Sequence, residues 1–423
     1  MSVKVINNPD TGECCYEYTH ESGIKISVIP KPQFSSAAAY FGTKYGSIDT
    51  AFKTDENAEY TEVPEGIAHY LEHKLFENED CDAFERFSKT GAYANAYTSF
   101  DRTCYLFSCS NNFYDSLKIL LDFVQDPYFT EETVQKEQGI IGQEISMYDD
   151  DPDWSVLFNL LRCLYKNHPV RIDIAGTVES IAQITPELLY SCYNTFYNLS
   201  NMFICVAGNV EPQKVFDICD EMLKTKPPVN IIRKPVDEPQ KVVCDYTEHN
   251  LPVAVPLFAI GYKEPTVGEK SLEERVSADF IRLMLFANDS PLYKKLLDSK
   301  LINDNFSTEY FSGFGYAATL IQGESAQPQK VKDEIDAYLR DVAKNGLDEK
   351  AFERAKKALL GTSVGAYDEP VNIPSIMVEA AVCGHGVFDG ITAVKNMTFD
   401  YVTKRFNEMF STDRSALSVV KSK

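Results

Sequence analysis

The chain has 423 residues, 44% of them hydrophobic and 25% charged, and a net charge of −22. That length exceeds what one compact core usually holds, the acidic balance argues against a basic nucleic-acid-binding surface, and no apolar run approaches the ~18 residues of a membrane span. The segment Met1 to Asp10 lacks the apolar core of a secretion signal. Eleven scattered cysteines without a C-x-x-C pair suit buried thiols in a reducing compartment, so the expected location is the cytoplasm.

In chain order, Ile24, Ile26 and Val28 alternate with Lys25 and Ser27, and Ala37 to Phe41 leads into Tyr45-Gly46-Ser47, which predicts two strands. A polar stretch, Asp49 to Glu62, delivers the chain to Pro64, a residue suited to the first turn of a helix. That helix carries His69, Glu72 and His73 in the spacing H-x-x-E-H. Residues four apart lie one turn apart on one helix face, so both imidazoles can reach one metal ion with Glu72 beside them as general base. In a chain with six histidines this pattern arises by chance roughly once in a hundred such chains.

Ala83 to Thr90 reads as a short helix ended by Gly91, and Ala92 to Phe100 and Thr103 to Cys109 as strands. If the first of these strands is an edge, its free backbone groups can hold an extended peptide, with Asn95, Ala96, Tyr97 and Thr98 as the substrate-binding candidates. Asn111 to Val124 is amphipathic, and Thr130 opens a helix running to about Tyr148. On it Glu137 and Glu144 are two turns apart and share a face, and either can supply the anionic third ligand of a His-His-Glu zinc set. Asp149, Asp150, Asp151 and Asp153 offer competing oxygens, but Pro152 is expected to end the helix there and loosen their geometry.

Further on, Val156 to Tyr165 reads as a helix, His168-Pro169 as a structural turn, Thr185 as a helix start and Met202 to Ala207 as a buried strand. A proline- and lysine-rich stretch, 226–240, reads as a linker between domains 1–225 and 241–423. The second domain echoes the first. Gly139 to Asp149 lies without gaps on Ala358 to Asp368, and Leu75-Phe76 on Leu285-Phe286. In those registers Glu137 and Glu144 meet Lys356 and Ser363, while His69, Glu72 and His73 meet Asp279, Arg282 and Leu283. The pattern is that of a duplicated fold with metal in the first copy alone.

These residues resemble the pitrilysin/insulinase family of zinc peptidases, whose H-x-x-E-H motif is the inverzincin order. The likeness spans most of the chain: Tyr45-Gly46-Ser47, the histidine helix, Gly91 with Asn95 to Thr98, Glu137 and Glu144, His168-Pro169, Gly176-Thr177, and Asn201-Met202 through Gly208-Asn209. It is nearest to short bacterial, processing-peptidase-like members.

The resemblance implies an α/β (α+β) fold of two homologous two-layer sandwich domains, each a mostly antiparallel sheet packed with helices, forming half of a clamshell. It further implies one Zn2+ per chain on His69, His73 and Glu144, with Glu137 supporting the site. The implied activity is endopeptidase cleavage of peptides or small unfolded proteins, in a homodimer or in a heterodimer with a homologous subunit. One departure stands out: no arginine lies between Arg282 and Arg340, where many members carry a transition-state arginine near a tyrosine, although Tyr310 and Tyr316 are present. The rival expectations are a non-catalytic binding or assembly subunit of the same fold and a zinc hydrolase acting on a non-peptide bond.

Overall fold

The computed structural model describes residues 2–55, 59–79, 81–266, 268–368 and 372–423. The first half runs β1 (Val3–Asn7), β2 (Cys14–Thr19), β3 (Lys25–Pro30), β4 (Ala37–Thr43), β5 (Ala51–Thr54), β6 (Thr61–Glu62), α1 (Ile67–Leu75), α2 (Ala83–Thr90), β7 (Tyr93–Thr98) and β8 (Thr103–Cys109). It continues with α3 (Phe113–Val124), α4 (Glu131–Asp149), α5 (Pro152–Leu164), α6 (Val178–Ile181), α7 (Pro186–Phe196), β9 (Met202–Gly208), α8 (Pro212–Met222) and β10 (Ile231–Arg233). The second half holds β11 (Tyr246–Asn250), β12 (Leu257–Lys263), α9 (Leu272–Phe286), α10 (Pro291–Asp298), β13 (Ser307–Gly313), β14 (Tyr316–Glu324) and α11 (Pro328–Asn345). It ends with α12 (Glu349–Gly365), α13 (Asn372–Cys383), α14 (Asp389–Asn396), α15 (Phe399–Met409) and β15 (Ser415–Lys421).

Compactness groups these elements into two units that are each discontinuous in sequence. One comprises Met1–Ile145, Asp173–Pro235 and Val364–Asp389, the other Ser146–Ile172, Val236–Ser363 and Gly390–Lys423. This grouping differs from a cut at 226–240, because α5 packs on β12 and β15, whereas α13 packs on β4 and β9. The stretch expected to be a linker also contains β10, which pairs antiparallel with β5 and is pinned there by Arg233 on buried Asp49.

In the first unit the main sheet has the order β1-β2-β3-β9-β4-β8-β7 among the described residues. Only β3 and β9 run parallel in it. Strand β9, Met-Phe-Ile-Cys-Val-Ala-Gly, is buried along its whole length, as expected of a central strand with neighbours on both sides. Strands β1 and β2 extend the sheet and were not foreseen, since their alternation is masked by Asn7, Cys14 and Glu17. Strand β7 is at the other edge.

The second unit has the order β11-β15-β12-β14-β13, again with a single parallel pair among the described residues, β11 and β15. Strand for strand this repeats β3-β9-β4-β8-β7, including a pair of helices between its second and third strands in chain order. The same topology built twice is what a duplicated sequence would fold into. At the positions matched to the first copy's histidine helix, Asp279 and Arg282 make an ion pair of 3.0 Å on α9. Lys356, matched to Glu137, donates to the Met397 carbonyl at 2.8 Å.

Candidate metal centre and active site

Helix α1 is buried on almost every side: Ile67, Ala68, His69, Tyr70, Leu71, Glu72, Lys74 and Leu75 are all shielded. It starts at Ile67 rather than at Pro64, because Gly66 caps it with φ +85°. A side chain at Gly66 would run into the Ala175 backbone, and one at Gly176, with φ +76°, would sit 2.6 Å from the Glu65 carbonyl. The Gly176-Thr177 motif therefore acts as a doorstop for the histidine helix. Ser180, in a capping box with Thr177, donates to the same Glu65 carbonyl at 2.8 Å.

On helix α4, Val134, Ile141 and Ile145 are buried in a stripe with heptad spacing, and Glu137 and Glu144, which reach residues of α1, occupy the intervening stripe positions. Glutamates on an apolar stripe are a sequence signal for a buried polar task. The Tyr70 hydroxyl donates to the Val134 carbonyl, and Gln138 donates to the Ile181 carbonyl at 3.1 Å, which fixes the rotation and height of α4 against α1 and α6.

The result is a three-residue cluster. Glu144 Oε1 lies 3.7 Å from His69 Nε2, and its Oε2 lies 3.4 Å from His73 Nε2. One ligand atom from each of the three residues falls within 4.8 Å of the others. A tetrahedral zinc ion with ligands at ~2.0–2.1 Å requires ligand atoms ~3.4 Å apart, so the donor set and its spacing fit that ion. On the far side of the ring, His73 Nδ1 is 3.1 Å from Glu137 Oε1, so Glu137 orients His73 and leaves Nε2 to the cluster. Of the two glutamates that spacing alone left equivalent, Glu144 joins the histidine nitrogens and Glu137 stands behind one of them. None of the competing aspartates joins the cluster found among the described residues, and Asp151 caps α5, accepting from the backbone of Asp153 at 2.9 Å and of Trp154 at 3.0 Å. Pro152 thus opens α5 instead of only ending α4.

Electrostatics follow from burial. Burial and the neighbouring His73 lower the His69 pKa to about 4, which keeps its ring neutral and able to donate a lone pair. For His73, burial works the other way from the acids around it, and the Glu137 hydrogen bond with the charges of Glu72 and Glu144 raises its pKa. Burial raises the Glu72 carboxyl above its ordinary value, opposed by His73 and by Thr98.

Strand β7 is an edge strand, as the peptide-holding expectation requires. Its four candidates divide by face. The Thr98 hydroxyl donates to Glu72 Oε2 at 2.9 Å, a partner not anticipated from sequence. Asn95 and Ala96 line a cavity of about 630 Å3 together with Glu72, His73, Phe76, Phe84, Glu137 and Ile140. Tyr97 alternates to the face opposite Thr98, and burial beside its cross-strand neighbour Cys104 raises its phenol pKa. In the second unit, Tyr310 donates to Glu264 Oε2 at 2.9 Å, and Glu264 is also gripped by buried Arg405 at 2.8 and 3.0 Å. His168 is structural there: Nδ1 accepts from Val170 at 3.1 Å and Nε2 faces the Phe314 carbonyl at 3.0 Å.

The profile described as Insulinase (Peptidase family M16) matches residues 58–178, and that described as Peptidase M16 inactive domain matches 183–359. The uncharacterized zinc protease YmfH of Bacillus subtilis is 40% identical over 418 residues, 97% of each chain. The chain belongs to the insulinase family, peptidase family M16. An M16-like peptidase structure from Alicyclobacillus acidocaldarius superposes with a TM-score of 0.92 at 34% identity, covering 100% of this chain and 99% of that one. Pitrilysin, at 14% identity and a TM-score of 0.78, shares the fold; this M16 chain is covered completely and spans 47% of that one. The inactive-domain match begins after Glu144, so the His-His-Glu cluster lies wholly within the insulinase match. No helix among the described residues is long and apolar enough to cross a membrane.

Proposed function

We propose that this M16 chain is a zinc-dependent endopeptidase acting on peptides or small unfolded proteins, in the cytoplasmic setting expected from its sequence. The observation that carries the reading is the convergence of His69, His73 and Glu144 next to a buried, hydrogen-bonded carboxylate, Glu72. His69 Nε2, His73 Nε2 and a Glu144 oxygen would hold one zinc ion per chain. When bound, zinc acidifies a water toward neutral pH and polarises a carbonyl.

The protein's own groups then handle the proton. Glu72, its pKa lifted by burial, takes the proton from the attacking water at Oε1 and hands it to the leaving amine. Thr98 holds Oε2 meanwhile, so the carboxylate keeps one orientation through both transfers. Glu137 holds the His73 ring. Edge strand β7 would align the peptide by strand addition, its backbone passing Asn95 and Ala96 at the mouth of the cavity.

The pairing of this chain with a second copy or with a homologous subunit is part of the same proposal. It is supported by pitrilysin's chain being about twice as long, and by a relative named mitochondrial-processing peptidase subunit beta in Arabidopsis thaliana, 29% identical over 51% of this chain. The test is metal analysis and hydrolysis of a quenched peptide pool by wild type and Glu72→Gln. About one zinc per chain in both, with cleavage lost only in the variant, is the expected result. Cleavage at the normal rate by Glu72→Gln would remove Glu72 from the base role, and an uncleaved pool with wild type, alone and with homologous chains, would leave the binding-subunit reading.

A further inference from the structure

Cys163 lies in the last turn of α5 and is buried, whereas Cys244, just ahead of β11, is exposed. Their sulfurs are 2.7 Å apart. The backbone holds them in register: the Val243 N–H donates to the Cys163 carbonyl at 2.7 Å, and α5 packs against β11, β12 and β15 of the same unit. A disulfide needs ~2.05 Å between sulfurs, and these two already stand close to bonding distance.

We propose that Cys163 and Cys244 are a modification site, forming a reversible intramolecular disulfide when the protein meets hydrogen peroxide. The two thiols have unequal roles. Cys244 is in reach of solvent and reacts first: its thiolate attacks the peroxide oxygen, the O–O bond breaks, and the products are a Cys244 sulfenic acid and one water. Cys163 then attacks the Cys244 sulfur, the S–O bond breaks, and a second water leaves. Two thiols and one peroxide thus give one disulfide and two waters. Burial raises the Cys163 thiol pKa, which makes it a poor first target but leaves it placed as the resolving partner. Reduction takes a different route: an external thiolate attacks the exposed Cys244 sulfur, the S–S bond breaks with Cys163 leaving as thiolate, and a second external thiol displaces the first from Cys244, giving two protein thiols and one external disulfide.

The consequence lies in how this unit is assembled. Helix α5 belongs to the section 146–172, the strands it covers belong to the section beginning at 236, and the intervening residues 173–235 are built into the other unit. Cys163–Cys244 joins the two sections covalently where the chain returns. The bond would keep α5 on its sheet when non-covalent contacts loosen, since it shrinks the unfolded ensemble and not the folded one.

The experiment is to expose the intact, folded protein to dilute hydrogen peroxide, block free thiols under denaturing conditions, and map peptides without reduction. The expected result is a 163–244 cross-linked peptide, loss of two of the eleven thiols, and their full return with dithiothreitol. Cys244→Ser, at an exposed position that leaves folding intact, should lose no thiol pair, and Cys163→Ser should halt with an oxidised Cys244. A Cys244 that proceeds to sulfinic acid or to an intermolecular disulfide in wild type while Cys163 stays free would overturn the proposal. So would loss of the same two-thiol equivalent in Cys244→Ser.

Discussion

Exchanging a carboxylate for an amide at Glu137 and at Glu144 separates the two roles the geometry assigns to them. Glu137 makes one hydrogen bond of 3.1 Å to the outer nitrogen of His73, with both groups partly shielded. Glu137→Gln keeps an acceptor oxygen there and removes its charge. Replacing such a supporting partner typically costs ~10–100-fold in metal affinity, or about 1.4–2.7 kcal/mol. Glu144→Gln instead removes the anionic member of the donor set, whose oxygens lie 3.4 and 3.7 Å from the two ring nitrogens. Its loss should exceed ~100-fold, because an amide oxygen is a weak zinc ligand. The assay is competition for zinc between metal-free protein and a chelator of known affinity, at one pH and ionic strength, with circular dichroism to confirm that both variants are folded. If Glu137→Gln lost zinc as completely as Glu144→Gln, or the order were reversed, the division of labour argued from these distances would be wrong.

Thr98→Val should lower kcat about tenfold, the scale of one hydrogen bond to a charged group, while zinc content and KM hold and Thr98→Ser restores most of the rate. A KM effect alone would make Thr98 a substrate contact. His168 is buried and burial lowers its pKa from 6.5 to about 4. Below pH 6.5 the unfolded chain therefore binds a proton that the folded one refuses, so stability present above 6.5 is lost as pH falls toward 4, by about 3 kcal/mol from this residue. Urea midpoints of His168→Gln should change less with pH across that window than those of wild type, and parallel pH profiles would refute the assignment. Arg233→Met should cost about 2 kcal/mol, less than the 3–5 typical of a fully buried pair because Arg233 is one-third exposed, and should free β10 from β5. Unchanged thermal stability would show that Asp49 tolerates burial without its partner.

Much of the site was readable from spacing. Helical periodicity puts His69 and His73 on one face whatever surrounds them, and it puts Glu137 and Glu144 on one stripe for the same reason. The strands with clean alternation or uniform apolarity, β3, β4, β8 and β9, were readable too. Those with mixed patterns, β1, β2 and β10, were not, since their place in a sheet depends on neighbours distant in sequence. Thr98 shows the limit sharply: period-two alternation tells which face its side chain takes, and nothing local tells that the face carries Glu72.

By itself, then, the order of residues determined the chemistry available: two imidazoles and a carboxylate within one turn, a pair of glutamates on a second helix, and a second copy of the fold from which those groups are missing. Spacing left Glu137 and Glu144 equivalent and the family resemblance pointed to Glu144; the tertiary structure supplies the physical reason, because Tyr70, Gln138 and the Gly66–Gly176 approach set the rotation and height of α4 against α1. Tertiary structure alone decided the borders of the compact units. Helices α5 and α13 pack where their apolar faces find a sheet, and no pattern along the chain states which sheet that is.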